Sequence, residues 1–327
     1  MLYKRIIQDA WHFTQNHKRM VKWYALLPAI LITITGISFI VYQYMAFITS
    51  DVLFTGVEES FFHQIMTVYI GLFDRDTTLG ITVTALLIIA GILYLFVPVF
   101  CQGALIQLIS RHRNGEPVKV RNGISHGFLN FLPLFEYSLI LRTFTFTSIF
   151  GEAMFILRNF GWGWFEALLV PLILMMCISL LLTLFFTYSE YFMVIDKRKV
   201  FASMKASTLL VIKNWEHTLL ILLLMAIIGI RILVNVLIVL IIPGVIIGIV
   251  AIFVYSAALM KLGVIVGGLF GIAALYFASY FNAILDVWAK SIWVYSFLEL
   301  TTQQETDARG NVMTGGEALD AEDAALT

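Results

Sequence analysis

The chain has 327 residues, of which 60% are hydrophobic and 13% charged, and its formal net charge is zero. An ordinary soluble domain carries about a quarter charged residues and a nucleic-acid-binding domain a basic excess; neither description fits. Mean hydropathy of +0.91, with several apolar runs longer than the ~20 residues a helix needs to cross a bilayer, predicts an all-α polytopic membrane protein, and the lack of ~10-residue alternating segments argues against a membrane β-barrel.

The N-terminal stretch is long, polar and of mixed charge. The apolar run behind it exceeds a signal-peptide core, so the first helix is expected to stay. Six spans are predicted: about 23–48; 79–109, with Pro98 as a kink; 132–157; 165–195; 218–242; and one within 262–300. Lys4, Arg5, Lys18, Arg19 and Lys22 precede the first span. Arg111, Arg113, Lys119 and Arg121 follow the second, and Lys197, Arg198, Lys199, Lys205 and Lys213 follow the fourth. The loop after the first span instead holds Asp51, Glu58, Glu59, Asp74 and Asp76 against Arg75. The positive-inside rule then puts both termini in the cytoplasm, as expected of a multi-pass protein of the cytoplasmic (inner) membrane. Residues 243–261, "PGVIIGIVAIFVYSAALMK", are apolar but short, and Pro243-Gly244 breaks or kinks a helix. The segment reads as re-entrant, as interfacial or as an extension of span five, with a seventh crossing as the other option. The acidic tail, 301–327, reads as a disordered cytoplasmic end.

Three segments share a pattern: "RIIQDAWHFTQNHKRMVKWYALL", "VRNGISHGFLNFLPLFEYSLIL" and "VFASMKASTLLVIKNWEHTLLIL". Each is an amphipathic stretch on the basic side that leads into an odd-numbered span. Tyr3, Ile6, Ala10 and Phe13 share one helical face; so do Val120, Ile124, Phe128 and Phe131; so do Phe201, Met204, Thr208, Val211 and Trp215. In the third copy Lys199, Ser203, Ser207, Lys213 and Asn214 fall mostly elsewhere. A helix of this kind lies in the interface plane with its basic residues toward anionic lipid. The expected architecture is six transmembrane helices built as three repeats of interfacial helix plus hairpin, at about 1–110, 111–196 and 197–300. Together these make a transmembrane domain over 1–300. "VEESFFHQIMTVYIGLF" predicts a further helix on the outer side, with Phe61, Ile65, Met66, Tyr69 and Phe73 on its apolar face.

The N-terminal "YKRIIQDAWHFTQNHKRMVKWYALLPAI", the six spans and "YFMVIDKRKVFASMKASTLLVIKNW" before the fifth resemble a broad group of bacterial integral membrane proteins of unassigned role. They are similar as well to the membrane domain fused to some glycerophosphoryl diester phosphodiesterases. The resemblance spans about residues 1–300. It implies a membrane module without the hydrolase, because no soluble stretch is long enough for one, and it carries over no functional residue.

Ionisable groups inside spans cost about 2.5–3.5 kcal/mol at the centre on insertion scales. Arg142, Glu152, Glu190, Arg231 and Asn235 are therefore candidates for an intramembrane polar site, against the plainer reading of paired charges that fix register. Glu190 or Glu136 is the expected partner of Arg142, and Glu152 that of Arg231. Asp286 and Lys290, one turn apart, read as a surface pair. Lys199, Lys205 and Lys213 are candidate headgroup contacts. Gly263, Gly267 and Gly271 recur at four-residue spacing and suit close helix packing. "GWGW" at 161–164 reads as an outer-interface anchor. Cys101 and Cys177, without CxxC or a Cys/His cluster, read as free thiols. There is no P-loop, G-x-S-x-G or HExxH, so no catalytic, cofactor or metal residue is assigned. The favoured expectation is a non-enzymatic module that engages membrane lipids or organises other membrane proteins or further copies of itself. The alternative is a transporter or permease with a polar site between the repeats; no nucleic-acid partner is expected.

Overall fold

The computed structural model describes residues 3–50, 52–53, 61–253 and 257–325; side chains at 3, 142, 240, 247, 249–262 and 264 and beyond 303 lie outside the described residues. Asp51, Glu58 and Glu59 lie outside the described residues too. Among the described residues every regular element is helical. They are α1 (Tyr3–Asn16), α2 (Lys18–Met20), a π-helical turn (Val21–Ala25), α3 (Leu26–Ile48), α4 (Phe61–Arg75), α5 (Thr77–Arg113), α6 (Asn122–Arg142), α7 (Phe146–Phe185), α8 (Ser189–Val194), α9 (Val200–Lys213), α10 (Trp215–Phe253) and α11 (Ala257–Ala325).

Five stretches among the described residues are long and apolar enough to cross a membrane: Lys18–Ile48, Thr77–Arg113, Asn122–Phe185, Trp215–Ile246 and Ile265–Gln303. In the first half of α5, Ile81, Leu86, Leu87, Ile88 and Ile89 are each more than half exposed. Consecutive residues point all round a helix, so this segment is apolar on every side, as suits hydrocarbon and not water. α5 runs unbroken through Pro98. α10 runs through Pro243 to Phe253, so the first part of 243–261 extends the fifth expected span; residues 254–256 lie outside the described residues. α11 continues as helix through the stretch expected to be a disordered tail.

Asn122–Phe185 counts as one apolar stretch but does not run straight. Gly161, inside α7, has φ 82° and ψ −178°, a conformation open in practice only to glycine. Ser179 Oγ donates to Phe144 O, 35 residues away in sequence; a straight helix would hold them ~50 Å apart. Tyr137 Oη donates to Phe186 O at 2.9 Å. The members of each pair lie equally far from Gly161 in sequence, to within one residue, so the chain doubles back there. The apolar run expected at 132–157 is in turn split between α6 and α7 at residues 143–145.

The three basic segments gather at one end of the bundle. Arg113 Nη1 meets Asp9 Oδ2 at 2.9 Å, and Lys197 Nζ meets Asn130 Oδ1 at 2.6 Å. The hydrophobic core lies at this basic end. It joins Ile6, Ala10 and Phe13 of α1, Val99–Ile109 of α5, Tyr188–Val194 around α8, and Ala283–Leu300 of α11. Glycines bring α5 and α6 together: a Cβ on Gly127 would stand 2.7 Å from the Phe100 ring, and one on Gly103 2.9 Å from Leu134.

The amphipathic faces are used differently from expectation. In α1 Ile6, Ala10 and Phe13 of the shared face are buried within the protein, and the helix runs antiparallel along α11. Arg5 and Ile6 face a cavity with Leu298 and Thr302, while Trp11 stacks edge-on with Trp288 at 5.7 Å. In α6 the inward face is Gly123, Gly127, Asn130, Leu134 and Tyr137; Ile124 and Phe128 point outward. In α9 the inward face is Val200, Ser203, Ser207, Leu210 and Val211, whereas Phe201, Leu209 and Ile212 are exposed, as is Trp215 at the start of α10. Ser203 and Ser207, expected on the outer polar face, are thus fully enclosed. The reason is steric and polar at once: small residues let α9 approach closely, and Ser207 bonds backbone at the α7–α8 break. α1 and α9 are each 14 residues long and end in single-residue breaks of nearly the same conformation, His17 (φ −110°, ψ 44°) and Asn214 (φ −126°, ψ 42°). α6 has no such break after its first turns.

Candidate polar site at the basic end

Polar groups from several helices meet just where the dense core begins. Glu190, on the short α8, accepts a hydrogen bond from Gln102 Nε2 in the middle of α5. Across from it Lys290 Nζ is bonded to Asp286 Oδ2, one turn away on α11. Both acids and Lys290 line a cavity of ≈ 410 Å³ together with Tyr137, Ser179, Thr183, Thr187, Tyr191 and Trp293. The Asp286–Lys290 pair thus lines this cavity while remaining partly exposed, the Asp286 side chain by 38%. The site exists because α7 stops at Phe185: the turn into α8 swings Glu190 toward α5 and α11.

The other expected site residues divide as follows. The Arg142 side chain lies outside the described residues, so its pairing with Glu190 does too; Glu190 takes Gln102. Glu136 is exposed on α6. Arg231 and Glu152 are not brought together. Glu152 is exposed in the half of α7 whose neighbour Gly151 faces Gln43 and Phe39 of α3, while Arg231 shares a cavity with Trp11 and Gln15 of α1. That cavity measures ≈ 610 Å³ and is also lined by Asn235, Phe281, Ile284, Leu285 and Trp288. Asn235 Nδ2 donates to Asn282 Oδ1 at 3.0 Å. Lys199, Lys205 and Lys213 are all exposed on α9, beside its outward apolar residues. Gly263 and Gly267 are buried, and Gly271 faces the Pro243 ring of α10, 3.1 Å from an added Cβ. Cys101 is buried and Cys177 exposed, both free.

Three polar positions went unread in the sequence. Gln102 stands alone in "VFCQGALI", and an isolated amide in an apolar run was the signal available. Lys197 looked like one of a basic run. It has φ 57°, and its ammonium is held by Asn130 Oδ1 and, at 3.4 Å, Gln107 Oε1. Burial, and then the nearby Arg111, lower its pKa. Arg158, near the opposite end, donates to Tyr42 Oη at 3.0 Å, and its guanidinium sits over the Tyr42 ring at 5.0 Å. Comparison with protein-family models, curated proteins and solved structures found no match.

Proposed function

We propose that this integral membrane protein crosses the cytoplasmic membrane six times with both termini on the basic side, and that it acts without catalysis by engaging anionic lipid of the facing leaflet. The observation that carries this reading is the outward face of α9. Phe201, Leu209, Ile212 and Trp215 are each more than half exposed, and the exposed Lys199, Lys205 and Lys213 flank them. Apolar residues that enter the acyl boundary beside ammonium groups that reach phosphate are what an interfacial helix requires, and each lysine near an anionic surface contributes about 1 kcal/mol. The Gly161 reversal supports six crossings, since it makes two antiparallel arms of one apolar stretch.

The test uses the full chain in mixed vesicles. The Trp215-dependent fluorescence, taken as wild type minus Trp215→Phe, is quenched by dibrominated phosphatidylglycerol or by dibrominated phosphatidylcholine. The anionic lipid is expected to quench more strongly, and this preference is expected to fall several-fold when Lys199, Lys205 and Lys213 are all changed to Gln. An unchanged preference rejects the reading.

The 410 Å³ cavity with Glu190, Asp286 and Lys290 on its wall favours a second reading, a permease with its polar site in the bundle. In that case Glu190→Cys, in a chain lacking Cys101 and Cys177, reacts with a charged water-soluble thiol reagent. No reaction argues against it.

A further inference from the structure

Beyond Glu216 and His217 in its first turn, Arg231 is the one ionisable residue of α10, and it has no counter-ion among the described residues. It is exposed, it makes no ion pair among the described residues, and Asp286 of α11 is bonded to Lys290 in the other cavity. An unpaired guanidinium in such a helix is costly, so its surroundings show what the position serves. It opens into the 610 Å³ cavity between α1, α10 and α11. Two tryptophans, Trp11 and Trp288, line it, packed edge to face. Phe281, Ile284 and Leu285 form an apolar floor, while Gln15 and Asn235 add amide groups near the guanidinium. Asn235 Nδ2 is engaged with Asn282, which leaves the Asn235 carbonyl oxygen as an acceptor.

We propose that this cavity holds the phosphate of an anionic membrane phospholipid, bound through the Arg231 guanidinium with its acyl chains along Phe281, Ile284 and Leu285. The planar fork of arginine matches two phosphate oxygens, the tryptophan pair encloses the headgroup, and the floor accepts hydrocarbon. The inference rests on the lipid-engaging reading above but concerns a different face of the bundle, so the two are separable.

The full-length protein, purified in detergent with phosphatidylglycerol or phosphatidylcholine, is examined by native mass spectrometry for retained lipid. Quenching by the dibrominated lipids is read in parallel from the Trp11- and Trp288-dependent signal. Wild type is expected to retain phosphatidylglycerol in preference to phosphatidylcholine, and Arg231→Gln to retain it about tenfold less, as for loss of a charge-assisted hydrogen-bond pair. Arg231→Lys is expected to fall between, since it keeps the charge but not the fork; it carries the test if the glutamine variant does not fold. Retention of phosphatidylglycerol by Arg231→Gln at the wild-type level overturns the proposal. So does equal retention of phosphatidylcholine by wild type, or displacement of the lipid by millimolar inorganic phosphate, which identifies a free-anion site. If the α9 lysine variant loses its Trp215 preference while Arg231→Gln keeps its lipid, only this inference fails. The reverse pattern keeps the Arg231 site and removes the α9 reading.

Discussion

Ser207 holds the end of one helix against the start of the next. Its hydroxyl donates to Phe185 O at 2.7 Å and accepts from Tyr188 N–H at 3.0 Å, so it satisfies two backbone groups at the break that lets α8 turn inward. Replacement by Ala leaves both groups enclosed without a partner, at a cost of about 1–3 kcal/mol. Thermal unfolding in detergent is expected to show Ser207→Ala well below wild type. Phe201→Ser, on the outward side of the same helix, is expected to change the midpoint little, and equal losses would contradict the assigned faces. The sequence groups Phe201 and Trp215 on the face toward the bilayer, and both are exposed, but it also groups Val211 with them, and Val211 is buried beside Ser207. In a bilayer the bulky apolar residues meet lipid and the small polar ones meet the protein, so periodicity finds the helix without telling which face is inside. Gln102 was illegible for a related reason: a single amide in an apolar run names no partner, and Glu190 is far from it in the chain.

At the level of elements, the turns were harder to read than the helices. Gly161 lies in "NFGWGW": its neighbours Phe160, Trp162 and Trp164 are exposed and aromatic, which reads as an interfacial anchor whether or not the chain reverses. What marks the reversal is backbone, φ 82° with ψ −178°, and no side-chain pattern reports that. Val52 lies 3.1 Å from where a Cβ would sit. Gly161→Ala is therefore expected to destabilise by about 1–3 kcal/mol, read as a lower thermal midpoint, whereas Gly163→Ala, in open space, is expected to be near neutral. A tolerated Gly161→Ala would mean that the two arms of α7 do not depend on this turn. The stretches at 3–16 and 200–213 were legible as helical by period, but the breaks after them, at His17 and Asn214, were not expected.

For the whole molecule, membrane class follows from composition, because 13% charge cannot coat a soluble domain of this length. The alternation of basic and non-basic loops carries the orientation. In a chain lacking its two cysteines, Lys119→Cys and Gly163→Cys are expected to react with impermeant thiol reagents added to opposite faces of sealed vesicles. Labelling from one face would refute the six-crossing topology. The gathering of the core at the basic end could not be read, because it depends on contacts between the first and last helices. Trp288 Nε1 donates to Ile7 O at 3.4 Å across 281 residues of sequence, and Arg113 stacks over Tyr295 at 4.8 Å.

That closure has a consequence for biosynthesis. At 5–20 residues per second, the ribosome needs roughly 15–55 s after Ile7 is made before Trp288 follows. During that interval α1 can already meet α5, through Asp9–Arg113 and Phe13–His112, but its side toward α11 has no mate, and a nascent chain halted before Ala283 never gains that one. Completion of this end is thus gated by arrival of the final segment, and shortened products present quality-control proteases with the side of α1 that carries Trp11 unmatched.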